Sequence, residues 1–239
     1  MNIALIGYGK MGHEIETIAK ERGHSITLII DRDNQKDLNH TNLNAVDVAI
    51  EFSTPETAFE NIKTCLLVNT PVVSGTTGWL HKFDEAKQLA ENGNGALFYA
   101  SNYSIGVNLF FSLNRIMAQY VNMVKGYDIA IEEIHHTQKK DAPSGTAITL
   151  AEIISKEIDK MQGWTMDPET AENKIPIKAR REGNVPGTHT ITLNSEQDEI
   201  VLTHRAKSRK GFALGAVLAA EYSAGKKGFL TMDNLLKLK

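Results

Sequence analysis

The segment Gly7-x-Gly9-x-x-Gly12 constrains this chain most, because of what stands on either side of it. Ile3-Ala4-Leu5-Ile6 precedes it as a short apolar run of buried-strand type. Met11, Ile15, Ile18 and Ala19 follow at helical spacing until Gly23. A strand that turns through three glycines into a helix is the setting of a dinucleotide-binding βαβ unit. There the first glycine permits the tight turn, the second lets the backbone approach a pyrophosphate, and the third packs helix on strand. The helix start adds free N–H groups and a positive dipole end for phosphates. Gly7, Tyr8, Gly9, Lys10, Met11 and Gly12 are therefore candidate coenzyme residues. Asp31 lies nineteen residues beyond Gly12, after a second apolar run, where a carboxylate reaches the adenosine ribose hydroxyls. Asp31 favours NADH, because it repels a 2′-phosphate. Arg32 and Lys10 attract that phosphate, so NADH and NADPH both stay open.

The alternation continues to about residue 100. Apolar runs at 46–50, 71–74 and 96–100 read as further strands, and 55–69 and 84–92 as helices. This pattern predicts a Rossmann-type, doubly wound parallel α/β sheet. The turn Gly75-Thr76-Thr77-Gly78 follows one of these strands at the edge where such folds bind ligands. Gly75, Thr76 and Thr77 either line the nicotinamide side or form an ordinary turn. After Asn102 the grammar changes. Helices at 107–124 and 143–160, with strands at 127–136, 175–181, 187–194 and 199–206, predict an antiparallel α+β domain. The tail from 211 reads as helical. The expected division is a dinucleotide domain at 1–104, a second domain at 105–208, and a segment at 209–239 returning to the first.

A net charge of −3 supplies no basic footprint for nucleic acid or an anionic membrane. The apolar start ends at glycine far short of the roughly 20 residues of a membrane span, and has no basic n-region. A cytoplasmic enzyme is expected. The single cysteine, Cys65, excludes an internal disulfide and a Cys-based zinc cluster, and its apolar surroundings mark a core thiol.

The second informative stretch runs from Glu132 through His135, His136 and Lys139 to Ser144-Gly145-Thr146-Ala147. It passes from a strand end through a polar loop into a helix. Two adjacent histidines face one pocket only if the strand has already ended. The helix start offers hydroxyls and free N–H groups to a carboxylate, and Lys139 adds a flexible charge or proton donor. Taken alone, the segment reads more readily as solvated surface with Ser144 or Thr146 as a helix cap. Metal binding is not expected, because adjacent histidines do not normally chelate and no third ligand is evident.

The run His135-His136-x-x-Lys139-x-Asp141-Ala142-Pro143-Ser144-Gly145-Thr146-Ala147 closely resembles the signature of the dihydrodipicolinate reductase family, also called 4-hydroxy-tetrahydrodipicolinate reductases. The glycine loop, Gly75–Gly78, Ala100-Ser101-Asn102-Tyr103-Ser104, Arg181-x-Gly183-x-x-x-Gly187-x-His189 and Gly211–Ala216 resemble other family segments. The resemblance implies hydride transfer from NADH or NADPH to a small cyclic dicarboxylate. It assigns acid/base chemistry to His135, and proton donation or substrate anchoring to Lys139. His136, Ser144, Gly145 and Thr146 would bind substrate carboxylates, and Ser101, Asn102 and Tyr103 would lie near the nicotinamide. It also implies a homotetramer built through the second domain's sheet. The chain departs from the family pattern at Lys10, where an arginine is usual, at Thr137-Gln138, and in a shortened region around 34–45.

Overall fold

The computed structural model describes residues 1–124, 126–167, 172–208 and 210–237. They form two compact units, Met1–Ser104 with Lys210–Lys239, and Ile105–Arg209.

The first unit begins with β1 (Asn2–Ile6), α1 (Lys10–Glu21), β2 (Ser25–Ile30), α2 (His40–Leu43), β3 (Val48–Glu51), α3 (Pro55–Leu67), β4 (Val72–Ser74), α4 (Phe83–Asn92) and β5 (Ala96–Tyr99). The strands pair in parallel in the order β2-β1-β3-β4-β5. A parallel sheet covered on both faces needs continuous apolar strands, and β3 and β4 are buried throughout. Strand order reverses between β1 and β3, the switch point where open α/β sheets hold their ligands. Pro55 opens α3 with φ already set for a helix. The short connection between β2 and β3 forms a 3-10 turn (Arg32–Asp37) and then α2, which place Leu38 and Leu43 in the core. Cys65 is buried in the same core, and burial pushes its thiol pKa up, as a packing residue requires.

The second unit contains α5 (Ile105–Val124), β6 (Asp128–His135), α6 (Gly145–Glu157), β7 (Trp164–Thr165), β8 (Ile175–Arg181), β9 (Thr188–Asn194) and β10 (Glu199–Arg205). Its sheet order is β10-β9-β6-β8-β7. The expectation of a purely antiparallel sheet is corrected: β9 runs antiparallel to β6 and β10, but β8 is parallel to both β6 and β7. A helix, α6, lies in the connection from β6 to β8, and a helical crossover returns a strand in the same direction. Strand alternation sends Ile129, Ile131, Ile177, Ile191 and Leu193 to one face, against Phe110, Leu150 and Ile154 of the helices.

The tail returns to the first unit as α7 (Lys210–Ser223), β11 (Gly228–Leu230) and α8 (Met232–Leu236). The expectation of an all-helical tail misses β11, which adds a sixth parallel strand beside β5. Gly225 and Gly228 break the helix with positive φ, and three residues are too few to show strand alternation. Gly215 of α7 lies so close to Tyr103 that an added Cβ would stand 1.7 Å from its carbonyl oxygen. Among the described residues no helix is long and apolar enough to cross a membrane.

Candidate active site

The coenzyme candidates converge at the switch point. Gly7 leaves β1 with φ +90°, and a Cβ there would meet the Phe52 carbonyl oxygen at 2.1 Å. A Cβ on Gly12 would stand 2.6 Å from the Gly7 carbonyl oxygen. Gly9, the residue before α1, has nothing within 4 Å of its Cβ position, so open space lies where a pyrophosphate would approach. The three glycines thus do three different things, as the motif requires. Gly7, Tyr8, Gly9, Asp31 and Arg32 line a cleft of about 620 Å³, within the 300–1,000 Å³ usual for small-molecule sites. Lys10, Met11, Gly75, Thr76 and Thr77 line an adjoining hollow of about 480 Å³, with Gly9, Phe52 and Ser53 common to both. The Asp31 carboxylate also caps the following 3-10 turn through the Asn34 backbone N–H.

Phe52 and Ser53, which motif reading missed, follow the second strand of the switch point. A Cβ on Gly75 would lie 2.2 Å from the Phe52 ring, so that glycine exists to admit the phenyl group. Below it, the fully buried Glu51 carboxylate accepts the Ser53 N–H at 3.0 Å, the Ser74 hydroxyl at 2.7 Å and the Thr76 hydroxyl at 2.9 Å. One anion therefore fixes the loops after β3 and β4. Ser101, Asn102 and Tyr103 line neither cavity. Tyr103 is buried with its hydroxyl donating to the Ser74 carbonyl at 2.7 Å, and the Asn102 side chain accepts the Ser104 N–H. The Tyr103 phenol therefore packs in the core of the unit, against the end of β4.

In the second unit, β6 points Glu133 and His135 inward in register with Ile129 and Ile131. His135 is its last residue, and His136, beyond the strand end, faces a separate hollow of about 270 Å³ beside Gln138, Asn184 and Pro186. Cross-strand pairing places Arg181 opposite His135, His189 opposite Glu133, and His204 opposite His189. Glu133 is wholly buried. Its Oε1 accepts Arg181 Nη2 at 3.1 Å, and the Ser144 N–H lies 3.1 Å from both oxygens. Its Oε2 stands 3.4 Å from His135 Nδ1 and 3.8 Å from His189 Nε2. Burial holds the His135 pKa below the usual imidazole value; the Glu133 carboxylate opposes this, and Lys139 and Arg181 add to it. His189 is pushed down to about 4 by burial and by the His135 imidazole.

Lys139 pairs with Asp141 at 2.7 Å, and its ammonium holds the Asp141 carboxyl below the usual range. Arg181 donates to the backbone carbonyls of Lys139 and Asp141, so it clamps the loop that carries the lysine. Ser144 caps α6 and joins it to the buried cluster. Its hydroxyl accepts the Ala147 N–H and contacts His189 Nε2 at 3.1 Å, while its own N–H goes to Glu133. Gly145 and Thr146, the first residues of α6, keep the helix-start position suited to an anion. Glu133, Arg181 and His189 were not singled out from sequence as site residues; continuing the alternation of Ile129 and Ile131 by two and four residues finds Glu133 and His135. Glu133, His135 and His189 each bring a ligand atom within 4.8 Å of the others, the reach of a metal ion. Arg181 already supplies the positive charge there.

Comparison with known proteins places the whole chain. Residues 1–103 match the family description "Dihydrodipicolinate reductase, N-terminus", and residues 106–236 match "Dihydrodipicolinate reductase, C-terminus". A 4-hydroxy-tetrahydrodipicolinate reductase of Christiangramia forsetii is 53% identical over 237 residues, covering 99% of this chain and 98% of the relative. One from Methanoregula boonei is 38% identical over 197 residues, covering 81% of this chain and 76% of its own. Among solved structures, a dipicolinate-bound dihydrodipicolinate reductase from Paenisporosarcina sp. TG-14 superposes with a TM-score of 0.80 at 27% identity, covering 98% of both chains. Matched by both family descriptions and by a 53% identical relative over nearly its whole length, the chain belongs to the dihydrodipicolinate reductase family.

Proposed function

We propose that the chain reduces 4-hydroxy-tetrahydrodipicolinate to tetrahydrodipicolinate, releasing water, in the diaminopimelate route to lysine. The observation that carries this reading is the His135 imidazole set beside a buried carboxylate, at the head of a loop that presents Lys139 and the Gly145-Thr146 helix start. A bound reduced nicotinamide supplies the hydride, and the glycine loop, Asp31, Thr76 and Thr77 are the residues that would hold its dinucleotide. The reaction also consumes one proton. His135 is positioned to deliver it on the nitrogen side of the ring, where electrons accumulate as the hydride arrives. Lys139 anchors a substrate carboxylate or serves as the second donor, and the Asp141 pair holds its ammonium in place. His136, Gly145 and Thr146 bind the substrate carboxylates, the last two through a helix start with no acidic residue in its first turn.

Both coenzymes serve, because Asp31 and Arg32 line the same cleft with opposite charges. Assembly as a homotetramer through the second unit's sheet is supported by Val201 and Ile200, exposed on β10. A cytoplasmic location fits a nicotinamide-dependent biosynthetic enzyme. The test is oxidation of NADH and of NADPH by purified protein, with substrate generated in situ from pyruvate and aspartate semialdehyde. Consumption of coenzyme with formation of tetrahydrodipicolinate is expected. Well-folded protein that consumes neither coenzyme would reject the assignment.

A further inference from the structure

We infer that Glu133 is the positioning residue of this site: it sets the tautomer and charge of His135 and ties that imidazole to the substrate-binding turn at the start of α6. The inference rests on the reading of His135 as the acid/base group.

A wholly buried carboxylate is costly unless it is paired, and the pairing here has two parts. Arg181 on Oε1 and the Ser144 N–H account for a structural staple between β8, β6 and α6. They leave unexplained why Oε2 is turned to within 3.4 Å of His135 Nδ1, a buried atom with no hydrogen-bond partner among the described residues. At that distance the protonation of Nδ1 decides the sign of the interaction. A lone pair on Nδ1 would face the carboxylate oxygen and be repelled; an N–H is attracted, even before it is well aligned. Neutral His135 therefore carries its proton on Nδ1. Nε2 becomes the atom that takes and gives the transferred proton. It lies beside Gly187, where a Cβ would stand only 3.1 Å from it, so glycine leaves that nitrogen uncovered on this side.

The carboxylate also stabilises the imidazolium that must exist before a proton is delivered. Burial, Lys139 and Arg181 work against that charge, while Glu133 and then Asp141 favour it. The same carboxylate holds the Ser144 N–H, which fixes where the Gly145-Thr146 turn begins. Through Arg181, which also holds the carbonyls of Lys139 and Asp141, it governs the loop carrying the second donor. Proton donor, lysine loop and anion turn are thus all referred to one buried carboxylate.

The first test needs no variant: long-range ¹H–¹⁵N spectra of the histidine rings in the full-length protein, with His135→Gln to assign the signal. The expected result is the Nδ1–H tautomer for neutral His135, and the Nε2–H tautomer would overturn the inference. The second test is Glu133→Gln, which keeps the shape and removes the charge. The expected outcome is a kcat lower by roughly 10- to 100-fold with the coenzyme KM within about twofold, and a His135 pKa lower by about one unit or more. Because an acid must be protonated to act, the fall of kcat with rising pH should move to lower pH, and Glu133→Asp should recover part of both effects. A folded Glu133→Gln variant with unchanged His135 titration would contradict the inference. Full activity in His135→Ala would instead remove the acid/base reading itself, whatever the tautomer proves to be.

Discussion

The carboxylate of Glu51 accepts the Thr76 hydroxyl at 2.9 Å, joining the end of β3 to the turn that follows β4. Thr76 in turn accepts the Ser53 N–H at 2.9 Å, so both sides of the hollow proposed for the coenzyme hang on one buried carboxylate. Replacing Glu51 by alanine leaves the Ser74 and Thr76 hydroxyls short of an acceptor and the Ser53 N–H with Thr76 Oγ1 alone, at a cost of about 2 kcal/mol in stability. The expected kinetic effect is a coenzyme KM raised by roughly tenfold with kcat at saturation little changed, as removal of binding common to ground and transition state gives. Coenzyme titration alongside urea unfolding checks both. A stability loss with an unchanged KM would show that the network serves only the sheet.

Asp31 does two things that a single alanine variant would confuse. Its carboxylate caps the 3-10 turn at Arg32–Asp37, and it lines the dinucleotide cleft. Serine preserves the cap and removes the charge. Asp31→Ser should therefore fold normally, raise the NADH KM by roughly tenfold, and leave the NADPH KM equal or lower, since only NADH offers a free 2′-hydroxyl. Equal losses with both coenzymes would exclude the ribose contact.

Acid should destabilise the second unit through its histidines. In the unfolded chain His189 titrates near 6.5, and in the folded protein it is held down to about 4. The unfolded state therefore takes up the proton first, and stability present above about pH 6.5 is lost as pH falls toward 4. A difference of about 2.5 units corresponds to roughly 3 kcal/mol. His135 and His204, also held down by burial, act in the same direction. Urea unfolding between pH 7.5 and 4.5 measures the loss, and His189→Asn should reduce it. An equal slope in wild type and variant would contradict this account.

The dinucleotide unit was the most legible part of the sequence, because strand, glycine turn and helix are local patterns and each glycine has its own steric reason. The partners that make the cleft work were less legible. Phe52 and Glu51 matter through contacts with Gly75 and Thr76, and nothing local in their own segment announces those pairings. The same holds for the second unit. His135, Lys139 and the α6 start stand in one continuous segment, but Arg181 and His189 reach Glu133 through strand register, Arg181 on β8 parallel to β6 and His189 on β9 antiparallel to it. Expecting an antiparallel sheet concealed the Arg181 partnership. Ser144 has a second part that its own segment does not announce: its hydroxyl meets the Ala147 N–H and His189, and its N–H meets Glu133.

The most direct measurement is kcat for wild type and His135→Ala at saturating substrate and coenzyme, with coenzyme binding confirmed to be intact. The account predicts that the variant binds coenzyme normally and loses about 10²-fold or more in kcat, the scale of general acid catalysis. A variant that turns over at close to the wild-type rate would contradict it.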